Sequence, residues 1–237
     1  MKVRIRAFRA DQDIESCMRY VEGHRKVLEA YGVTQVTSAN IEWMYHPSTY
    51  IALVESSDDG RVLGGGRVQV ADGKIPLPIE TAIDDLDSRI YGMVQEKSQN
   101  GGTGEYCGLW NSREVAGHGI GSILLVRIGI ALVEQVHIQS LFAFCSPATV
   151  KISMKVGYTV LRQIGINGTF YYPKEDLLAT AMILDDPMTL SHADPAERER
   201  ISALRNNPVQ TVIESGPKGS IEVDYDLRIN HPTSVIL

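Results

Sequence analysis

Seven consecutive residues, Ala116-Gly117-His118-Gly119-Ile120-Gly121-Ser122, carry the sharpest chemical signal in this sequence. They follow a strand-like segment, residues 105–111, and precede a long apolar run that reads as a helix. Alternating glycines let a loop turn tightly and bare its main-chain N–H groups where a helix begins. Such a place suits a phosphate or pyrophosphate. The same glycines would also serve a connection with no ligand, because a short glycine pattern is weakly specific. Two nucleotide-binding patterns are excluded. No Gly-Lys-Ser/Thr follows, as a Walker A loop requires, and the alternation of Gly117, Gly119 and Gly121 departs from the dinucleotide spacing.

The elements around the loop define its setting. Residues 105–163 read as strand, glycine loop, helix (about 119–136), strand (141–145), short helix (147–156) and strand (158–163). That order predicts an α/β fold with a parallel step in the middle. Upstream, residues 2–8 alternate as a strand, and Asp11 and Asp13 are N-cap candidates for a helix running to about residue 31, with Gly32 closing it. Its apolar positions are Ile14, Cys17, Met18, Val21, Val27 and Leu28. A weaker helix is expected over 38–45, and strands 50–55 and 62–70 form a hairpin in which Gly64–Gly66 signal a bulge or a close approach. Residues 71–103 read as an irregular insertion with one short helix at 79–86. Beyond residue 175 come a strand at 178–184, a charged helix at 195–205 and a late hairpin. The expected division is a core over 1–175 and an extension over 176–237 packed on it.

Composition bounds the function. The chain has 237 residues, 43% hydrophobic and 22% charged, which is globular. Its net charge of -6 gives no basic face for nucleic acid. Cys17, Cys107 and Cys145 are scattered, so no metal site or disulfide framework is expected, and free thiols with no apolar leader imply a cytoplasmic location. The apolar run 120–136 is broken by Arg127 and Glu134 and is too short to span a membrane.

On the loop and this element order, the sequence resembles the GNAT superfamily of N-acyltransferases, whose acyl-CoA loop reads Arg/Gln-x-x-Gly-x-Gly/Ala. Gly119 and Gly121 match its glycines. Ala116 stands where Arg or Gln is usual, and Arg113 is the nearest replacement charge. The resemblance covers residues 2–163 and implies a mixed, mostly antiparallel sheet splayed at its centre and flanked by helices, with a helix-hairpin extension at the C-terminus. It implies a pantetheine arm between strands 105–111 and 141–145, held near Leu109, Trp110, Asn111 and Ser146, with the diphosphate on residues 116–122. The co-substrate would be acetyl-CoA or another acyl-CoA, the acceptor a small-molecule amine, and the route direct attack in a ternary complex. The Leu109 N–H would polarise the thioester carbonyl. Glu105 would be the base, its pKa raised by apolar surroundings, unless it is an exposed carboxylate at the strand start. The tyrosine usual four residues before Gly157 is replaced by Ser153, which becomes the candidate acid. Tyr158 reads as core.

A fainter resemblance links Arg25, the Gly-x-Arg-Val-x-Val strand around Arg67, and Glu105 to autoinducer and N-acyl amino acid synthases. That implies acyl carrier protein as an alternative donor partner. A non-catalytic acyl-CoA sensor is the second alternative, and a homodimer is compatible with each. Asp84, Asp85 and Asp87 would meet a cationic acceptor or be a solvated face. The stretch 168–173 would wall the acceptor or the acyl chain.

Overall fold

The computed structural model describes residues 2–30, 32 and 40–229. The elements run β1 (Lys2–Arg9), α1 (Ile14–Ala30), β2 (Thr49–Ser56), β3 (Val62–Val70), α2 (Pro78–Ile83), α3 (Arg89–Gln99), β4 (Thr103–Asn111), α4 (Ser122–Leu132), β5 (Ser140–Cys145), α5 (Pro147–Lys155), β6 (Thr159–Val160), β7 (Thr169–Tyr171), β8 (Leu178–Leu184), α6 (Pro195–Asn206), β9 (Val209–Gly216) and β10 (Gly219–Asp226). The strands form one sheet in the order β6-β8-β5-β4-β3-β2-β1-β10-β9, with β7 on β8. Only β4–β5 and β1–β10 are parallel. Residues on both sides of position 175 share this sheet, since β8 lies between β6 and β5 and β10 beside β1.

Side-chain alternation along β4 assigns its two faces. The Tyr106 hydroxyl donates to the Leu125 carbonyl of α4, 2.7 Å away, while the Ile79 amide of α2 donates to Glu105 on the opposite face. One face thus carries α4, with α5 and α6 packed on the same core. The other carries α1, α2 and α3. Helix α4 is buried along nearly its whole length, which explains its unbroken apolar sequence. Its one cation, Arg127, pairs with Glu197 at the start of α6, with Nη2 2.9 Å from Oε1. Burying a guanidinium requires such a partner.

Three expectations need correction. The insertion 71–103 is largely helical: α3 closes over the sheet through Ile90 and Val94, and α2 through Ile79 and Ile83. Asp87 caps this region by accepting from Gly165 N at 2.8 Å, and polar residues around it had masked the apolar pair. The helix expected over 38–45 is one 3-10 turn, Glu42–Tyr45, within the described residues, and 38–39 lie outside them. The α1 stripe that packs inward is Ser16, Cys17, Tyr20 and His24, so Met18 faces out.

The parallel step is short. β4 and β5 pair only at Thr103↔Ser140, Gly104↔Leu141 and Glu105↔Phe142. That end is stapled by the buried Ser140 hydroxyl, which donates to Thr103 Oγ1 at 2.8 Å. Beyond it the strands part. The β3–β4 register slips between Gly65 and Arg67, so β4 bulges at Gly108, whose φ of +62° suits glycine.

Candidate active site

The parting of β4 and β5 opens a cavity of about 530 Å³. Its polar groups include Glu105, Ser146, Ser153 and His24. Much of the remaining wall is apolar, with Leu28, Leu109, Ala143, Phe144, Leu177 and Ala179 among its members. Glu105 sits where the pairing ends, and its carboxylate is buried. Burial pushes its pKa up to about 8, against the Ile79 N–H (2.6 Å from Oε2) and the Arg67 charge, which both pull it down. The exposed-carboxylate alternative is therefore overturned.

The Tyr20 hydroxyl of α1 hydrogen-bonds the Gly108 carbonyl at the bulge. A trans peptide sets its C=O and N–H on opposite sides, so the Leu109 N–H turns away from α1. Trp110 points the other way from Leu109. Its indole packs on Gly23 and Tyr20 of α1 and does not line the cavity. The bulge, which shifts the alternation by one residue, turns Trp110 into the core against α1, as an aromatic on a central strand commonly packs, and away from the pantetheine cleft that the resemblance implied for it.

Ser153 is buried with its Oγ 3.4 Å from Cys145 Sγ. Ser146 precedes α5 and faces Thr149, 3.3 Å between hydroxyls. The Tyr158 ring lines the cavity, and its buried hydroxyl has no hydrogen-bond partner among the described residues. Burial raises the thiol pKa of Cys107 to about 12 and that of Cys145 as well, so both are poor nucleophiles. Tyr172 and Pro173 reach the cavity wall, whereas Tyr171 is exposed. Asp84 and Asp85 face solvent. Among the described residues no cluster of His, Cys, Asp or Glu has a metal-binding arrangement, and no helix is long and apolar enough to cross a membrane.

The glycine loop lies beyond the other end of β4 and does not line this cavity. Asn111 pins it, donating from Nδ2 to the Ile120 carbonyl at 2.9 Å. The amides of Ala116, His118 and Gly121 bond within the segment. Those of Gly117, Gly119, Ile120, Ser122 and Ile123 donate to no described residue. The β9–β10 turn clasps the loop from one side. The Lys218 amide donates to the Gly117 carbonyl at 2.8 Å, and the Lys218 stem crosses Gly117. Gly119, at φ +107°, has Glu214 Cβ only 2.7 Å from where its own Cβ would stand. This partner of the loop had no signal in local spacing, because it comes from a hundred residues downstream.

A second cavity of about 330 Å³ adjoins the first at Pro78 and is lined by Trp43, Arg67, Gln69 and Thr81. Arg67 is buried, its guanidinium 4.5 Å from the Trp43 ring centre and its Nε 3.3 Å from Cys107 Sγ. Cross-strand pairs Arg67↔Cys107 and Gln69↔Glu105 place Arg67 and Glu105 diagonally on one face. Arg25, by contrast, is exposed and pairs with Glu22 and Glu29 on its own helix.

No protein-family model matches the sequence, and no curated protein matches it. Solved structures do. FeeM, an N-acyl amino acid synthase from uncultured soil microbes, superposes with a TM-score of 0.59 over 83% of this chain and 98% of its own, at 17% identity. BjaI, a CoA-dependent acyl-homoserine lactone synthase solved with SAM and isopentyl-CoA, gives 0.56 over 97% and 94%, at 11% identity. The chain has the fold of the GNAT acyltransferases.

Proposed function

We propose that this protein is an N-acyltransferase that moves an acyl group from acyl-CoA to an amine by direct attack. One observation carries the reading: a buried carboxyl group, Glu105, stands where the pairing of β4 and β5 ends, in the wall of the cavity of about 530 Å³ that opens there. The acyl-CoA would enter along β4, with its carbonyl oxygen on the Leu109 N–H. An acceptor entering from the α1–α2 face would meet Glu105. An ammonium ion holds its proton far more tightly than an ordinary carboxylate does, and a carboxyl group poised near 8 narrows that mismatch. Glu105 takes the proton, the free amine adds to the carbonyl, and the collapsing intermediate expels the CoA thiolate. Ser153 would hydrogen-bond the sulfur. A serine hydroxyl is too weak an acid to do more, so the thiolate would take its proton from the nitrogen or from water.

The apolar wall supports an acyl chain longer than acetyl. Each buried methylene is worth roughly 0.8 kcal/mol, or about fourfold in affinity. Titration with CoA, acetyl-CoA, hexanoyl-CoA and dodecanoyl-CoA tests both claims. Affinity should climb with chain length until the cavity is full, and thiol release should require an amine. Binding without turnover against any amine would favour an acyl-CoA sensor. A second reading, an amino acid acceptor as in the name of the FeeM enzyme, is supported by the buried positive charge of Arg67, diagonal to Glu105 on one face of the sheet, which would attract an acceptor carboxylate.

A further inference from the structure

Among the buried titratable groups of the cavity to which the reaction above gives no role, His24 stands at the bulge. His24 lies on α1 one turn beyond Tyr20 and is 7% exposed. It lines the same cavity as Glu105, on the face from which an acceptor would come. Its Cε1 is 3.8 Å from the position a Cβ would take on Gly108, so the imidazole stands against the bulge. The ring meets Tyr20 at 6.2 Å between centres, and no described residue hydrogen-bonds it. A polar side chain this well buried normally has a partner, and here the cavity is the place left for one. The other members of the stripe are accounted for: Tyr20 holds the Gly108 carbonyl, and Cys17 bonds Ala10 O at 3.5 Å.

We propose that His24 contacts the acceptor: an imidazole nitrogen accepts a hydrogen bond from the attacking amine at the Gly108 bulge and aims its lone pair at the thioester carbon. The inference rests on the acyl-transfer reading. Burial, helped by the Arg67 charge, lowers the imidazole pKa to about 4, so the ring is neutral and competes with Glu105 for no proton. Glu105 reaches the same amine directly or through one water. The nitrogen lone pair forms the C–N bond while the carbonyl pair moves onto oxygen. When that pair returns, the C–S bond breaks and sulfur keeps its electrons. One ammonium proton goes to Glu105 and the next to the thiolate, and His24 takes neither. After Glu105 takes one proton the free primary amine keeps two N–H bonds: one can bond His24 during attack, and one is lost to the thiolate only after the C–S bond breaks. The contact is made to the acceptor, so it orients attack and adds nothing to donor binding.

The test uses octanoyl-CoA as donor and, as acceptor probes, hydroxylamine, the common amino acids and their amides. With the best of these, His24→Leu should lower kcat/KM for the acceptor about tenfold or more, the worth of one lost hydrogen bond in a dry site. The octanoyl-CoA Kd should not move. His24→Gln, which keeps an acceptor atom at similar reach, should recover part of the loss, and His24→Asn, which is shorter, should recover less. Acceptor kinetics of His24→Leu equal to wild type would overturn the proposal. So would a loss that Gln does not restore, or one shared by the octanoyl-CoA Kd and the melting temperature. If His24→Leu does not fold, the ordering of wild type, Gln and Asn decides. Failure of the parent reading looks different: the wild type itself would bind no octanoyl-CoA or acylate none of the probes, and both proposals would fall together.

Discussion

On the proposed reading, the two ends of β4 would hold a charged or polar ligand in opposite ways. At the Glu105 end the groups are side chains, buried among apolar residues, and burial shifts them: the carboxyl group rises to about 8 and the His24 imidazole falls to about 4. At the other end the groups are main-chain amides in a half-exposed loop, set by glycines and clasped by a distant hairpin. The first end can change protonation and so perform chemistry. The second has fixed dipoles, which bind but do not turn over. Damage at one end should therefore alter rate, and damage at the other should alter affinity.

The largest effect should separate them outright. Glu105→Gln keeps the shape and the Ile79 contact but has no basic oxygen pair, so turnover should fall about 10²- to 10⁴-fold with the CoA Kd unchanged. Loss of CoA affinity in this variant would mean that the two ends are not separable.

The same carboxyl group sets two opposed pH dependences. Because only its ionised form is a base, wild-type kcat should rise with pH and level off above about 8. Its pKa is raised in the folded chain, so the stability it contributes is complete below the ordinary value near 4.5 and is lost as pH climbs through about 8. The melting temperature of wild type should accordingly drop relative to Glu105→Gln between pH 5 and pH 9. A constant difference across that range would contradict a buried, neutral-leaning carboxyl group.

Within the loop, two glycines should behave differently. Gly119 holds φ +107° and its Cβ position is crowded by Glu214 Cβ at 2.7 Å and Ser215 N at 2.9 Å. Gly119→Ala should cost roughly 1–3 kcal/mol, loosen the hairpin and weaken CoA binding. Gly121 has an extended backbone, φ -115°, and nothing within 4 Å of its Cβ position, so Gly121→Ala should leave stability unchanged. Calorimetric melting of the two variants checks the contrast, and equal losses would remove the clasp from the account.

Much of this was legible in the sequence where the signal is local. The loop, the splayed central strands and Glu105 as a candidate base on the motif strand follow from residue order and a family resemblance, and alternation fixes which face of β4 each side chain takes up to Cys107. Two kinds of information were not local. A bulge at Gly108 resets the alternation, which sent Trp110 to α1 and hid the approach of His24. Contacts across the chain, such as Lys218 on Gly117 or Arg127 with Glu197, have no spacing to read. The α1 stripe was misjudged for a simpler reason: Tyr20 and His24 are amphipathic, and counting only aliphatic residues rotated the face toward Met18.

The smallest effect probes the missing charge of the loop. Ala116 offers no cation, Arg113 is exposed, and the Lys218 stem lies across Gly117 with no ion pair among the described residues. An exposed ammonium in solvent contributes little to any single contact, so Lys218→Glu should weaken CoA binding only about two- to fivefold at low salt. The effect should fade as ionic strength shortens the screening length. Pantetheine, which lacks the diphosphate, should bind both proteins alike. A loss that persists in high salt, or one that pantetheine shares, would mean that the substitution acts through the fold of the β9–β10 turn rather than through charge at the loop.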